Sequence, residues 1–114
     1  MTDEIKKYLH DIRASISAIN DYLGNDRNFF NFQNNRMMKK AIEREFEIIG
    51  EAVNKALKID KNISITSSRK IVDLRNYLAH AYDTVDYSTL WAIISKHLPK
   101  LEIEINNLLN AENE

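Results

Sequence analysis

The hydrophobic residues of this chain recur at alternating spacings of three and four positions, which is the period of an amphipathic α-helix. The clearest run consists of Ile5, Leu9, Ile12, Ile16, Ile19 and Leu23. Thr2 precedes it as a candidate N-cap, and Gly24 follows it at the position that closes many helices. A coiled-coil seam has a similar pattern, but the stop at Gly24 favours the core of a helical bundle.

A second helix is predicted over residues 35–57, with its apolar stripe at Ile42, Phe46, Ile49, Val53 and Ala56. Gly50 lies inside this helix, where glycine costs about 1 kcal/mol relative to alanine. We interpret Gly50 as a point of close approach by another backbone. Glu47 and Glu51 are four residues apart, and we expect them to pair with arginines, such as Arg75, rather than to hold a metal ion.

The first half of this second helix has a basic flank, formed by Arg36, Lys39, Lys40 and Arg44. Two interpretations stay open for it. Such charges are usually a solvated helix face, but they also suit a surface that contacts phosphate.

Two connecting segments flank the second helix. Residues 26–35 carry Phe29, Phe30 and Phe32, which we interpret as a loop or short helical turn whose rings plug one end of the core. A base-stacking platform is the alternative, but only Arg27 interleaves with these rings. The second connection, residues 59–68, is anchored by Ile63 and Ile65, and Ser67 or Ser68 caps the helix that follows.

The last third of the chain continues the pattern, with Asp86 as a cap and a stripe at Trp91, Ile94, Leu98, Leu101, Ile105 and Leu108. Pro99 interrupts this stripe, which predicts a break near residues 95–98. We therefore predict an all-α fold, an antiparallel up-and-down bundle of four to five helices. Residues 1–110 form a single domain in this prediction, and residues 111–114 form a frayed tail.

Composition narrows the class of protein further. The chain has 114 residues, with two glycines, one proline and no cysteine, which disfavours tight hairpins and excludes disulfides and thiolate zinc sites. A net charge of −1 means that binding to nucleic acid needs a local site rather than bulk attraction. The first residues lack the layout of a signal peptide and no apolar run is long enough to span a membrane, so we expect a cytoplasmic protein.

The most polar stretch of the third helix runs from Arg75 to Tyr82. On a helix, Asn76 and His80 share one face, whereas Arg75 and His80 point about 140° apart. The neighbouring apolar stripe consists of Ile71, Leu74, Leu78, Ala81 and Val85. By themselves, these polar residues suit a surface cluster in which Asp73 or Asp83 neutralises Arg75.

The spacing of Arg75, Asn76, His80 and Tyr82 resembles the signature of HEPN domains, and more narrowly that of HepT-like toxins. Residues 44–52 resemble that family's second-helix pattern, and residues 85–91, followed by Leu98 and Pro99, resemble its C-terminal pattern. The resemblance extends over nearly the whole chain and implies a metal-independent endoribonuclease without a cofactor. The resemblance further implies that Arg75 and His80 are catalytic, and that Asn76 and Tyr82 bind the RNA or support its binding.

The resemblance also implies that Arg44 and Glu47 support RNA binding, and that two copies form a homodimer with a shared cleft. Such proteins are toxins of type VII-like toxin–antitoxin pairs, and an MntA-type nucleotidyltransferase neutralises them by transferring AMP to the motif tyrosine, here Tyr82. A non-catalytic binding subunit of a minimal nucleotidyltransferase is the alternative, and a plain dimerisation module is a third. His10 and His97 match no motif, so we interpret them as structural or surface residues.

Overall fold

Six helices and their connections make up the part of the chain that the computed structural model describes, residues 1–80 and 85–112. They are α1 (Asp3–Leu23), α2 (Phe29–Gln33), α3 (Arg36–Ile59), α4 (Ser68–His80), α5 (Tyr87–Lys96) and α6 (Leu98–Glu112). The all-α prediction is confirmed. The helix beyond the predicted four to five is the short α2, which lies in the segment interpreted as a loop or helical turn.

Helix α1 begins and ends where its sequence predicts. The Thr2 hydroxyl accepts a hydrogen bond from the Ile5 backbone N–H at 3.1 Å, which satisfies one donor of the first turn. Gly24 closes the helix with φ of 63°, a conformation that side-chain-bearing residues rarely adopt. The predicted stripe is buried along its whole length and packs against α3 and α6.

Helix α3 lies between α1 and α4 and forms the centre of the bundle. The Asn35 side chain caps it by accepting a hydrogen bond from the Met38 N–H at 3.0 Å. The helix continues to Ile59, two residues beyond the predicted end. Its predicted stripe is buried, and Ala52 joins it.

An aromatic cluster closes one end of the core. Phe32 is buried and its ring centroid lies 5.1 Å from that of Trp91, while the Phe29 and Trp91 centroids are 6.0 Å apart. The predicted plug is therefore confirmed for Phe29 and Phe32. Phe30 does not take part, since it is 71% exposed.

The predicted break at Pro99 is confirmed, because α5 ends at Lys96 and α6 begins at Leu98. The buried stripe differs from the prediction at two positions: Trp91 and Leu108 are only partly buried, and their neighbours Leu90 and Leu109 face the core. The buried set is Leu90, Ile94, Leu98, Leu101, Ile105 and Leu109. Helix α6 includes residues 111 and 112, which were predicted to belong to the tail.

The connection between α3 and α4 is fixed to the bundle. Ile63 and Ile65 are buried, as predicted, and the Thr66 N–H donates a hydrogen bond to Glu104 Oε2 on α6 at 3.0 Å. These anchors set the start of α4, the helix that carries the polar cluster. Among the helices of the described ranges, none is both long and apolar enough to cross a membrane.

Candidate active site

Helix α4 separates an apolar face from a polar one. Ile71, Leu74 and Leu78 are buried, whereas Asn76 and His80 are exposed. Val85 follows the helix rather than extending its stripe, and packs half-buried on the core. The two other motif positions, Ala81 and Tyr82, lie outside the described residues together with Asp83 and Thr84, so the structure does not place them.

Arg75 is half-buried because it lies against Gly50 of α3. A Cβ atom built on Gly50 would overlap the Arg75 Cβ, lie 2.9 Å from its Cγ and lie 3.1 Å from the carbonyl oxygen of Ile71. This confirms the prediction that Gly50 marks a close backbone approach. The contact also shows that the Arg75 side chain is only partly exposed to solvent, because its aliphatic stem is part of the α3–α4 interface.

The head of Arg75 is joined to the next residue along the helix. Its Nη1 donates a hydrogen bond to the Asn76 side-chain oxygen at 3.3 Å. Because α3 holds the stem and Asn76 holds the head, the guanidinium has a defined direction along the edge of α4.

His80 is the last described residue of α4 and is exposed. No hydrogen bond among residues 1–80 and 85–112 joins its ring to Arg75, as their angular separation of about 140° on a helix predicts. One copy of the chain therefore presents a guanidinium and an imidazole that diverge around the same helix.

Tyr77 is a residue of this region that sequence reasoning missed. Its side chain is 40% exposed, and its hydroxyl oxygen accepts a hydrogen bond from the Asp86 N–H at 2.8 Å. The bond connects the last described turn of α4 to the cap of α5. The only sign of it in the sequence is that a tyrosine directly follows Asn76. The spacing between Tyr77 and Asp86 matches no helical repeat, so the sequence pattern does not predict their contact.

Asp86 fixes the other end of that connection by capping α5, as predicted. Its carboxylate accepts hydrogen bonds from the Thr89 hydroxyl at 3.0 Å, the Ser88 N–H at 3.0 Å and the Thr89 N–H at 3.3 Å. These bonds favour the ionised carboxylate, and the Thr89 hydroxyl contributes most to lowering the pKa of Asp86 below its ordinary value.

A groove of about 500 Å³ lies between α4 and α5, beside Tyr77. Leu74 and Ile93 line its walls, and Asp73 and His97 contribute polar groups. The half-buried position of His97 here agrees with its interpretation as a structural residue.

His10 is exposed on α1 and lies 3.1 Å from an Arg13 guanidinium nitrogen.

The two candidate RNA-supporting residues of α3 pair with each other. Arg44 Nη1 lies 3.7 Å from Glu47 Oε2, and both side chains are near the surface. Glu51 pairs with Lys55 at 3.2 Å. The expected pairing with an arginine is therefore confirmed for Glu47, although its partner is Arg44 rather than Arg75, and it is wrong for Glu51, which pairs with a lysine. Intrahelical cations three and four residues away reach these carboxylates first.

Two further cations of the basic flank, Lys39 and Lys40, are also engaged. Lys40 Nζ lies 3.6 Å from a Glu43 oxygen, and Lys39 Nζ lies 4.2 Å from the centre of the Tyr87 ring. The Tyr87 hydroxyl donates a hydrogen bond to Glu43 at 3.1 Å. Burial, together with the Glu43 charge, raises the pKa of Tyr87. These contacts favour a structural use of the flank.

Comparison with known proteins identifies relatives along nearly the whole chain. The family described as "Ribonuclease HepT-like" matches residues 3–108. A Methanocaldococcus jannaschii protein named "Putative RNase MJ1380" is 32% identical over 105 residues, covering 90% of this chain and 94% of its own length. A Thermococcus cleftensis protein named "Probable ribonuclease HepT" is 30% identical over 104 residues, with the same two coverages.

A third relative, "Putative RNase TTE0752" of Caldanaerobacter subterraneus, is 33% identical over 85 residues, which are 74% of this chain and 76% of the relative. No solved structure matches the chain at a significant level. The fold and site define a helical-bundle protein that presents an arginine, an asparagine and a histidine from one helix, α4. Because the family model matches residues 3–108, the chain belongs to the HepT-like ribonucleases.

Proposed function

We propose that this protein is a metal-independent endoribonuclease and the toxin of a type VII-like toxin–antitoxin pair. The observation that carries the proposal is the Arg75 side chain, whose stem packs against Gly50 and whose guanidinium bonds to Asn76, on the helix that also carries His80. Membership of a ribonuclease family supports it. If Arg75 served only in an ion pair at the surface, its aliphatic stem would not require a glycine on the facing helix.

The chemistry follows from the two side chains. Histidine exchanges protons near neutral pH, so His80 accepts the proton of the ribose 2′-hydroxyl. The 2′-oxygen then bonds to phosphorus, and the bond from phosphorus to the 5′-oxygen breaks. Arg75 stabilises the charged phosphorane with its planar fork, and a protonated imidazole returns a proton to the leaving oxygen. The products are a 2′,3′-cyclic phosphate and a 5′-hydroxyl.

The divergence of Arg75 and His80 favours a site made by two copies. Asn76, His80 and part of Tyr77 are exposed on the same side of α4, so a second chain has access to them. In a homodimer with two α4 helices facing each other, the His80 of one copy approaches the phosphate held by the Arg75 of the other. Light scattering should then give the mass of a dimer, and a monomer at tens of micromolar would contradict the composite site.

Regulation is proposed at Tyr82, with an MntA-type nucleotidyltransferase as antitoxin partner. Transfer of AMP to its phenolic oxygen adds bulk and negative charge within seven residues of Arg75. A phosphate so placed competes with the RNA phosphate for the guanidinium.

A direct assay tests the ribonuclease activity. Purified protein is incubated with end-labelled RNA, with and without EDTA, beside His80→Ala and the control His10→Ala. His10 is a second exposed histidine, on α1. We expect cleavage that persists in EDTA, is unchanged in His10→Ala and falls by about 10²–10⁴ in His80→Ala.

Equal cleavage by His80→Ala and the parent would refute the assignment. A chain that cuts no RNA but binds a nucleotidyltransferase would favour the alternative function, a non-catalytic subunit of that partner.

A further inference from the structure

A basic cleft lies where the end of α3 meets the start of α4. It has a volume of about 380 Å³, and three cations line it: Lys58, Lys61 and Arg69. Asn54 and Ser68 add neutral hydrogen-bonding groups. The name "basic cleft" refers to these five residues below.

Among the described residues, the charged side chains that line the basic cleft are all positive. Within residues 1–80 and 85–112, none of its three cations lies in an ion pair, and no carboxylate is among the residues that line it. Asp60 lies between the two lysines in sequence, but its carboxylate accepts a hydrogen bond from the Asn62 N–H at 3.0 Å. In a chain of net charge −1, this is a local concentration of positive charge around a concave surface.

The basic cleft lies on the same side of α4 as two residues of the candidate active site, Arg75 and Asn76. Val72 lines its wall, and on a helix Val72 is followed on the same side by Arg75 and Asn76. Seven residues, or about 10 Å of helix axis, separate Ser68 from Arg75. A strand of RNA with one phosphate at Arg75 therefore reaches the cleft with a neighbouring part of its backbone.

We propose that the basic cleft binds backbone phosphates of the RNA substrate on one side of the scissile bond. The inference rests on the proposed ribonuclease function and adds a second anchoring point to it. Lysine and arginine side chains with amide and hydroxyl donors suit phosphate oxygens and carry no sequence information. The basic flank of α3 is less suited, because Lys40 and Arg44 already lie near glutamates.

A binding experiment tests the basic cleft without relying on cleavage. The probes are fluorescein-labelled 2′-O-methyl RNAs of increasing length, which lack the attacking hydroxyl. Anisotropy is measured for the parent chain, for the triple variant Lys58→Ala/Lys61→Ala/Arg69→Ala and for a charge-matched control, Lys70→Ala/Lys96→Ala/Lys100→Ala. The control removes three exposed cations from outside the cleft, and Lys70 directly follows Arg69.

We expect the cleft variant to bind the longer RNAs about tenfold more weakly at low salt, and the plot of log K against log salt to lose about 2 units of slope. The control should bind like the parent. Affinity should rise with RNA length in the parent and in the control, and stay flat in the cleft variant. Circular dichroism checks that both variants are folded.

The outcomes separate the two proposals. Unchanged binding by the cleft variant, or an equal loss in the control, overturns the basic cleft as an RNA site. Loss of binding confined to the cleft variant supports it, even if the parent chain cleaves no RNA. If the parent chain binds RNA through the cleft but cleaves none, the proposed catalysis is wrong and the proposed phosphate site is supported.

Discussion

Gly50 of α3 lies directly beneath the side-chain stem of Arg75 of α4, so that an added methyl group would approach the Arg75 Cγ to 2.9 Å. The absence of a side chain at position 50 is what lets the two helices approach so closely. Beyond this contact, the Arg75 head donates a hydrogen bond of 3.3 Å to the Asn76 side-chain oxygen. A packing detail of the bundle therefore determines the position of the candidate phosphate-binding group.

Gly50→Ala should reduce both stability and RNA cleavage. Alanine raises helix propensity by about 1 kcal/mol, but the overlap with Arg75 forces the helices apart and should cost about 1–3 kcal/mol in total. Urea unfolding and the RNA assay measure the two effects. Gly24→Ala is the control, because its φ of 63° also destabilises an alanine while nothing lies within 4 Å of the new methyl group. If Gly50→Ala cleaves RNA as well as Gly24→Ala does, the glycine has no part in positioning Arg75.

Substitutions of Arg75 should separate its stem from its head. Arg75→Met keeps an unbranched stem against Gly50, so the free energy of unfolding should change little, while cleavage falls by about 10²–10³ because the guanidinium is gone. Arg75→Ala should lose the same activity and also about 1 kcal/mol of stability. Thermal unfolding and initial cleavage rates decide this, and a fully active Arg75→Met would exclude a catalytic guanidinium.

The cap of α5 should make stability depend on pH in the acid range. Hydrogen bonds from Thr89 and Ser88 hold the pKa of Asp86 below its ordinary value of 3.8. Because the folded-state pKa is the lower one, the carboxylate stabilises the fold at neutral pH, and this stabilisation is lost as the pH falls below 3.8 through the folded pKa. Urea midpoints measured from pH 7 to pH 3 should fall less steeply in Asp86→Asn, which keeps an acceptor that does not titrate. Parallel curves for the two proteins would contradict this role.

Tyr82→Phe should remain toxic in the presence of the antitoxin. The substitution removes the oxygen that would accept AMP and keeps the ring, so the chain should fold normally. Intact-mass spectrometry after co-expression with the cognate nucleotidyltransferase should show one or more added AMP groups on the parent and none on Tyr82→Phe. Tyr87→Phe is a control, since that hydroxyl is already bonded to Glu43. AMP found on a residue outside the motif would defeat the proposal.

Hydrophobic periodicity and local end signals predicted the long helices and most of their ends, because caps, glycines and prolines act within one or two turns of their own position. Thr2, Gly24, Asp86 and Pro99 each stop or start a helix as their chemistry predicts. The buried residue was mispredicted where two adjacent apolar residues could both face the core, as with Leu108 and Leu109. Adjacent residues differ by a rotation of only about 100° around the helix axis, so the pattern does not decide between them.

The candidate site depended on packing between elements distant in sequence. The sequence indicated that Gly50 admits a neighbour and that Arg75 is unusual. Only the tertiary structure showed that the two meet, that Tyr77 reaches Asp86, and that Lys58, Lys61 and Arg69 surround one cleft. The physical reason is that helical periodicity fixes which side of a helix a residue occupies, whereas the neighbour on that side is decided by how the helices pack.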